Sequence, residues 1–329
     1  MYNNSLVYHL NAAAFYQEKI TGLNLTRDNS THAEEIYVYV PLQDVESVGE
    51  LLHQQGIKHH INHYEFKELT GKTVCFFKRS ELDTQQLEFL VSAVSKGARI
   101  ESLLDYLDRR LHYSPVELLH SDYLLDKKVF RARASIFRRW QKSLMDMLIT
   151  IALLLFTLPI WVLTALAIKL ESPGPIFFRQ RRTGLYNQEF DIIKFRSMRE
   201  DAEKDGARWA CKNDSRVTKV GNFIRKTRID ELPQLLNVLK GDMSLIGPRP
   251  EREVFIHDLE KHVPYYRFRH VVKPGITGLA QVKYTYGASI ADAMHKHRHD
   301  IYYIKHQSLW MDIKILAYTV WIVITGRGL

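Results

Sequence analysis

Short apolar runs and amphipathic stretches alternate through the first third of the chain. Ile-Tyr-Val-Tyr-Val at residues 36–40 reads as a strand closed by Pro41, and Val45, Val48, Leu51 and Leu52 then recur at helical spacing. Residues 73–77 read as a second strand. Leu87, Phe89, Leu90 and Val94 mark another helix, and residues 100–111 predict one more. Residues 1–30 are polar and weakly patterned. Together these predict a mixed α/β fold that opens with a small, truncated Rossmann-like module over residues 1–130.

The pattern then changes. Residues 144–168 are almost wholly apolar apart from Asp146 and scattered threonines. At about 1.5 Å per residue, such a helix is long enough to cross a hydrocarbon core once. Pro159 sits inside it and removes a backbone hydrogen bond, which predicts a break there. Both flanks are basic: Arg131, Arg133, Arg138, Arg139 and Lys142 precede the run, while Lys169, Arg179, Arg181 and Arg182 follow it. Basic flanks favour the cytoplasmic side of a membrane. A helix broken at Pro159 that enters and leaves through one leaflet satisfies both flanks, and is preferred to a simple span or a buried core helix. Residues 131–329 are accordingly expected to form a membrane-associated second domain. Its last apolar stretch, residues 309–324, carries Asp312 and Lys314 near its start and is expected to lie along the interface.

Composition narrows the classes. The chain has 329 residues, 46% of them hydrophobic and 25% charged, which excludes global disorder. The net charge of +9 admits nucleic acid, anionic lipid or phosphorylated substrates as partners. Nucleic-acid binding predicts cations spread over an accessible face with stacking aromatics. Here they gather around the apolar run and one acidic pair, so no nucleic-acid partner is expected. Cys75 and Cys211 are the two cysteines, far apart and without metal-ligand spacing, so a reducing compartment is the default. No secretory signal pattern opens the chain. Leu69-Thr-Gly71-Lys72-Thr73 resembles the tail of a phosphate-binding loop, but Phe66 stands where its first glycine is required. His59, His60 and His63 fall in a polar stretch and read as surface residues. Among His295, His297 and His299, only the first and last share a helix face, which argues against a metal site.

The chemistry concentrates between residues 190 and 250. Strands are expected around residues 177–178 and 190–196, joined at Gly184, and strand alternation puts Lys194 and Arg196 on one face as a candidate phosphate clamp. Arg216 and Arg225 follow, and a helix with apolar residues Leu232, Leu235, Leu236 and Leu239 is expected to begin near Asp230. Asp230 and Glu231 have the ordinary reading of helix capping. The functional reading uses the same physics: a helix N-terminus attracts phosphate and keeps a carboxylate ionised, able to attack phosphorus or hold Mg²⁺. In Gly247-Pro248-Arg249-Pro250 the prolines fix φ and present Arg249 on a stiff turn.

Four stretches, in order, resemble one family. They are Ser-Pro-Gly-Pro-Ile-Phe-Phe from Ser172, Lys-Phe-Arg-Ser-Met from Lys194, the long run from Asp230 to Pro250, and Pro-Gly-Ile-Thr-Gly-Leu-Ala-Gln-Val from Pro274. On them, residues 138–329 are similar to the bacterial sugar transferases, the monotopic polyprenyl-phosphate phosphoglycosyl transferases. The resemblance implies transfer of sugar-1-phosphate from a UDP-sugar to undecaprenyl phosphate, with release of UMP and a requirement for Mg²⁺. It implies Asp230 as a nucleophile that forms an aspartyl-phosphosugar, and Glu231 as its metal-supporting partner. Lys194, Arg196, Arg216, Arg225 and Arg249 are then substrate-binding residues, and Asp300 a further functional carboxylate. The family's helix breaks at a Ser-Pro pair; here Thr157 and Leu158 precede Pro159. The dyad is preceded by Arg228-Ile229 where the family often has Ser-Leu. Large members carry several membrane helices and a degenerate Rossmann-like module ahead of the catalytic domain, and this chain is expected to keep the module, in a regulatory or scaffolding role, without those helices. The implied location is the cytoplasmic face of a bacterial inner membrane, among its lipids, in exopolysaccharide, O-antigen or glycan assembly. A homo-oligomer is left open. The rival class is a non-catalytic membrane scaffold that binds polyprenyl phosphate.

Overall fold

The computed structural model describes residues 35–66, 68–126, 136–202, 214–284 and 289–325. Residues 1–30, Arg131, Arg133 and Cys211 lie outside the described residues. The chain forms two compact units, Met1–Tyr106 and Leu107–Leu329.

In the first unit, β1 (Ile36–Tyr39), β2 (His59–Ile61), β3 (Thr73–Phe76) and β4 (Arg99–Ser102) form one parallel sheet in the order β2-β1-β3-β4. The helices α1 (Val45–Gln54) and α2 (Thr84–Ser95) fall between strands, as parallel pairing requires. Every residue of β1 is buried, and Tyr37, Tyr39, Val74, Leu82 and Leu90 make a core cluster. Asp83 caps α2 reciprocally with Gln86. Two elements differ from expectation. Residues 99–102 are a strand, so α3 (Leu103–Leu111) begins later than residue 100; four residues are too few to show a period of two against the helix that follows. His59 and His60 lie in β2 rather than between strands, and His60, still exposed, stacks on Tyr37 (5.0 Å) and pairs with Glu35 (2.8 Å).

The boundary between the units falls earlier than 130/131 because residues after Tyr106 interlock with the second unit. Asp108 is fully buried, pairs with Lys305 and lies 3.0 Å from His306, and Glu117 pairs with Arg298.

The second unit continues with α4 (Ser121–Leu125), α5 (Ile136–Glu171), the antiparallel hairpin β5 (Phe177–Thr183) and β6 (Glu189–Phe195), α6 (Lys219–Lys226) and α7 (Gln234–Lys240). It is completed by β7 (Ser244–Ile246), α8 (Glu253–Leu259), β8 (Gly275–Thr277), α9 (Leu279–Lys283), α10 (Ile290–His306) and α11 (Leu309–Thr325). β7 and β8 pair in parallel.

α5 runs unbroken for 36 residues with Pro159 inside it. That corrects the expected break: the helix continues through Pro159. Thr157 instead bonds back to the Leu153 carbonyl (2.7 Å), a contact that bends helices without ending them. The helix is inverted in polarity. Its buried residues are Asp146, Thr150, Thr157, Thr164 and Ile168, while Leu155, Phe156, Leu158, Val162, Leu163 and Leu166 are exposed. A water-facing helix shows the reverse arrangement. By length and composition α5 is able to cross a membrane, and most of it is not buried. Both of its halves pack on the second unit. Asp146 accepts a hydrogen bond from Ser244 (2.6 Å), and Ile168, with Trp161, packs against Phe195 and Ile224.

Candidate active site

The chain enters the acidic pair through a strained corner. Arg228 adopts a left-handed φ of 60°, uncommon for a side chain of its size, and turns the chain out of α6. A 3-10 turn over Ile229–Glu231 follows, and α7 begins only at Gln234 with Pro233 as its N-cap. Asp230 and Glu231 are therefore not the caps of α7 but sit on a separate turn ahead of it, and both are buried.

Glu231 is enclosed by cations. Lys194 Nζ donates to its Oε1 at 3.0 Å, and Arg249 Nη2 donates to the same oxygen at 2.6 Å. These cations hold the Glu231 carboxyl well below the usual range despite its burial. Burial pushes the Lys194 ammonium down, with Glu231 opposing. Asp230 differs. Burial, reinforced by the Glu231 charge, raises it to about 6 against the pull of Lys194, Arg228 and Arg225. Its Oδ1 is buried with no hydrogen-bond partner among the described residues. Asp230 is thus less readily ionised than an ordinary aspartate, against the expectation that its position favours the anion: two adjacent carboxylates in a poorly solvated site cannot both be fully ionised at low cost.

Three elements hold this geometry. Buried Asn237 on α7 accepts from the Ile193 backbone N–H (3.0 Å) and donates to the Asp191 carbonyl (2.8 Å), which locks α7 to β6 and sets Lys194 against Glu231. The Arg249 turn is clamped by glycine. Gly247 N–H donates to Thr277 O, and Gly275 N–H donates to Pro248 O, each at 2.9 Å. A Cβ on Gly278 would fall 2.1 Å from the Gly247 carbonyl oxygen, so the two turns approach as only glycine allows. Below the turn, Arg269 Nη2 donates to the Arg249 carbonyl (2.9 Å) and forms an ion pair with Asp300 (2.8 Å). Arg182 donates to the Pro250 carbonyl at 3.2 Å.

The expected substrate-binding residues therefore separate. Lys194 and Arg249 meet the dyad directly. Arg225 acts on Asp230 through its charge and makes no ion pair among the described residues. Asp300 does not join the dyad; it lies behind it, buried with Arg269, and burial raises it to about 6. Arg196 is committed elsewhere, to the Ser172 and Pro173 carbonyls and the Ser172 hydroxyl just past the end of α5. The face it was expected to share with Lys194 ends with the strand at Phe195. Arg216 is held in a fork by Asp214, at 2.8 and 2.6 Å. Sequence reasoning missed Asn237, Arg182 and Arg269. The signal for Asn237 was a polar residue on the apolar face of α7. His297 is fully buried, forms a hydrogen bond with Pro264 O (3.2 Å) and is pushed down to about 3 by burial, so it is a core residue.

The donor set bears on a metal. Among the described residues no group of three or more His, Cys, Asp or Glu converges. Two carboxylates, one with an unpartnered oxygen, nonetheless suit Mg²⁺, which usually takes one or two carboxylates and completes its shell with water and substrate phosphates.

The family model for bacterial sugar transferases matches residues 137–326, more than half of the chain and all of the site. The UDP-N-acetylgalactosamine-undecaprenyl-phosphate N-acetylgalactosaminephosphotransferase of Aeromonas hydrophila is 50% identical over 184 residues, covering 56% of this chain and 44% of that protein. Two UDP-glucose:undecaprenyl-phosphate glucose-1-phosphate transferases are also similar. The one from Xanthomonas campestris pv. campestris is 44% identical over 181 residues, covering 54% of this chain and 37% of that protein. The one from Caulobacter vibrioides is 41% identical over 213 residues, covering 64% and 80%. The chain thus spans less than half the length of the first two relatives. With the model matched across α5, the dyad and the Arg249 turn, this chain belongs to the bacterial sugar transferase family.

Proposed function

We propose that this chain is a phosphoglycosyl transferase that moves sugar-1-phosphate from a UDP-sugar to a polyprenyl phosphate such as undecaprenyl phosphate and releases UMP. The observation that carries this reading is the unequal pair. Glu231 is neutralised by Lys194 and Arg249, while Asp230 stands beside it with a raised proton affinity and an unpartnered oxygen.

In the first half-reaction an ionised Asp230 oxygen attacks the phosphorus next to the sugar. The bridging P–O bond of the diphosphate breaks, UMP leaves, and the sugar-1-phosphate is held as an acyl phosphate. In the second, a phosphate oxygen of the lipid attacks the same phosphorus and the Asp230 carboxylate is restored. Burial leaves Asp230 poorly solvated, and an anion that has already lost its water has less reorganisation to undergo on attack. Lys194 and Arg249, held by Glu231 until substrate arrives, supply charge for the equatorial oxygens. Asp230 and Glu231 would hold Mg²⁺ together with the diphosphate; when bound, the metal supplies further neutralisation of phosphate charge.

The inverted polarity of α5 supports a membrane location, and its basic flanks support the cytoplasmic leaflet of a bacterial inner membrane. Both halves of α5 pack on one unit, which supports re-entry with a bend at Pro159 over a crossing. The first unit is read as a truncated Rossmann-like module with a regulatory or scaffolding role.

Detergent-solubilised protein with radiolabelled UDP-sugar, undecaprenyl phosphate and Mg²⁺ should release UMP, and a panel of UDP-sugars should identify the donor. No UMP release with any donor would return the chain to the scaffold class. Cysteines introduced at Gln141 and Gln180 should both label from the cytoplasmic side; labelling from opposite sides would convert re-entry into a span.

A further inference from the structure

A cavity of about 830 Å³ lies at the base of α5, apart from the dyad. The first turns of α5, the end of α7, residues 271–273 and the start of α11 enclose it. None of Asp230, Glu231, Lys194 or Arg249 lines it. Its size is that of a small-molecule site.

Its chemistry is divided. Trp140, Met147, Val238, Leu239 and Leu309 give apolar wall. Arg138, Arg139, Lys142 and Lys273 stand against Asp146 and Asp312, an excess of positive charge. Lys142 is spoken for, with Asp312 at 2.9 Å and Asp146 at 3.7 Å. Arg139 and Lys273 make no ion pair among the described residues. Asp146 is 6% exposed; its Oδ2 accepts from Ser244, but its Oδ1 has no hydrogen-bond partner among the described residues. A ligand that satisfies these groups brings an anion for the free cations, a hydroxyl donor for Asp146 Oδ1, and apolar chain for the wall.

The cavity also has a definite depth. It opens where the basic flank of α5 gives way to the apolar run, with Trp140 at the junction, as at a membrane–water interface. We propose that this cavity binds the head group of an anionic glycerophospholipid with hydroxyl donors, phosphatidylglycerol, as a lipid site separate from the acceptor site. The inference rests on the reading that α5 enters a membrane, but not on catalysis by Asp230. The phosphate meets Arg139 and Lys273, the glycerol hydroxyls meet Asp146, and the acyl chains leave along α5. Polybasic contact with anionic lipid and a fixed hydroxyl acceptor together give head-group selectivity that charge alone does not.

The test is competitive lipid retention by the full chain in neutral detergent, read by native mass spectrometry. Phosphatidylglycerol should be retained about tenfold over phosphatidylcholine, and several-fold over phosphatidylmethanol, which keeps the phosphate but lacks the hydroxyls. Arg139→Gln with Lys273→Gln should remove most of the preference, whereas Arg179→Gln with Arg181→Gln should preserve it. Lys273→Gln alone, the milder change, should lower it in part. Equal retention of phosphatidylglycerol and phosphatidylcholine would overturn the proposal. So would equal loss in both double variants, which marks diffuse attraction, or displacement of phosphatidylglycerol by undecaprenyl phosphate at equal concentration, which marks the cavity as the acceptor's. An inactive Asp230→Asn protein should retain lipid as the wild type does, so failure here and failure of the catalytic reading are separable.

Discussion

Two buried carboxylates in the second unit pair with guanidinium groups, and the pairs differ in what is left over. Asp300 and Arg269, 2.8 Å apart and 2% and 4% exposed, match one to one. Glu231 and Arg249, 2.6 Å apart, share their site with Lys194 and with a second carboxylate, Asp230. Burial raises Asp230 and Asp300 alike to about 6, so a shifted carboxyl does not by itself mark chemistry. The surplus does: Asp300 is ion-paired with Arg269 at 2.8 Å, while Asp230 makes no ion pair among the described residues. One pair is closed and braces the Arg249 turn from below. The other is open and has an oxygen free to act.

The largest expected effect separates the two at once. Asp230→Asn should lower sugar-phosphate transfer by at least about 10⁴-fold while leaving thermal stability unchanged or higher, because no partner depends on it. Asp300→Asn should do the opposite in kind: a loss of about 3–5 kcal/mol of stability from leaving Arg269 buried and unpaired, and a smaller loss of rate through Arg249. Thermal unfolding and UMP release, measured on the same preparations, read both. Glu231→Gln should combine the effects, because it strands Lys194 and Arg249 together and removes a metal-supporting carboxylate.

Gly278→Ala comes next. Its Cβ would press on the Gly247 carbonyl and shift the Arg249 turn, at a cost of about 1–3 kcal/mol. The apparent KM for UDP-sugar should rise with it, as a position test of Arg249. The smallest effect is in pH. Attack requires an ionised Asp230, so at fixed Mg²⁺ the rate should fall on acidification through about pH 6 and not near pH 4, the ordinary aspartate range. A bound cation favours the carboxylate, so raising Mg²⁺ should move this limb to lower pH.

Much of this was legible in the residues. The strands β1, β3 and β6, the helices α1 and α2, the apolar run of residues 144–168, the dyad and the Arg249 turn follow from period, punctuation and residue type, whereas β2, β4, β7 and β8, three or four residues each, are too short to show a period. What could not be read depends on partners distant in sequence. Lys194 and Arg196 look alike on a strand, yet one ends at Glu231 and the other at the Ser172 and Pro173 carbonyls, and only the tertiary fold decides. Asn237 is one polar residue in an apolar helix until Asp191 and Ile193 lie beside it. The capping reading of Asp230 failed for a local reason, since α7 begins only at Gln234 and the dyad sits on its own 3-10 turn ahead of it. The expected helix break failed because a single proline bends a helix more readily than it ends one.

The most direct measurement is to incubate the protein and Mg²⁺ with UDP-sugar labelled in the sugar, omit the polyprenyl phosphate, and map the label by peptide. The expected result is near-stoichiometric label on the peptide that contains Asp230, matched by UMP release, discharged on adding the lipid and absent in Asp230→Asn. Turnover to lipid-linked sugar with no label ever found on the protein would contradict nucleophilic attack by Asp230.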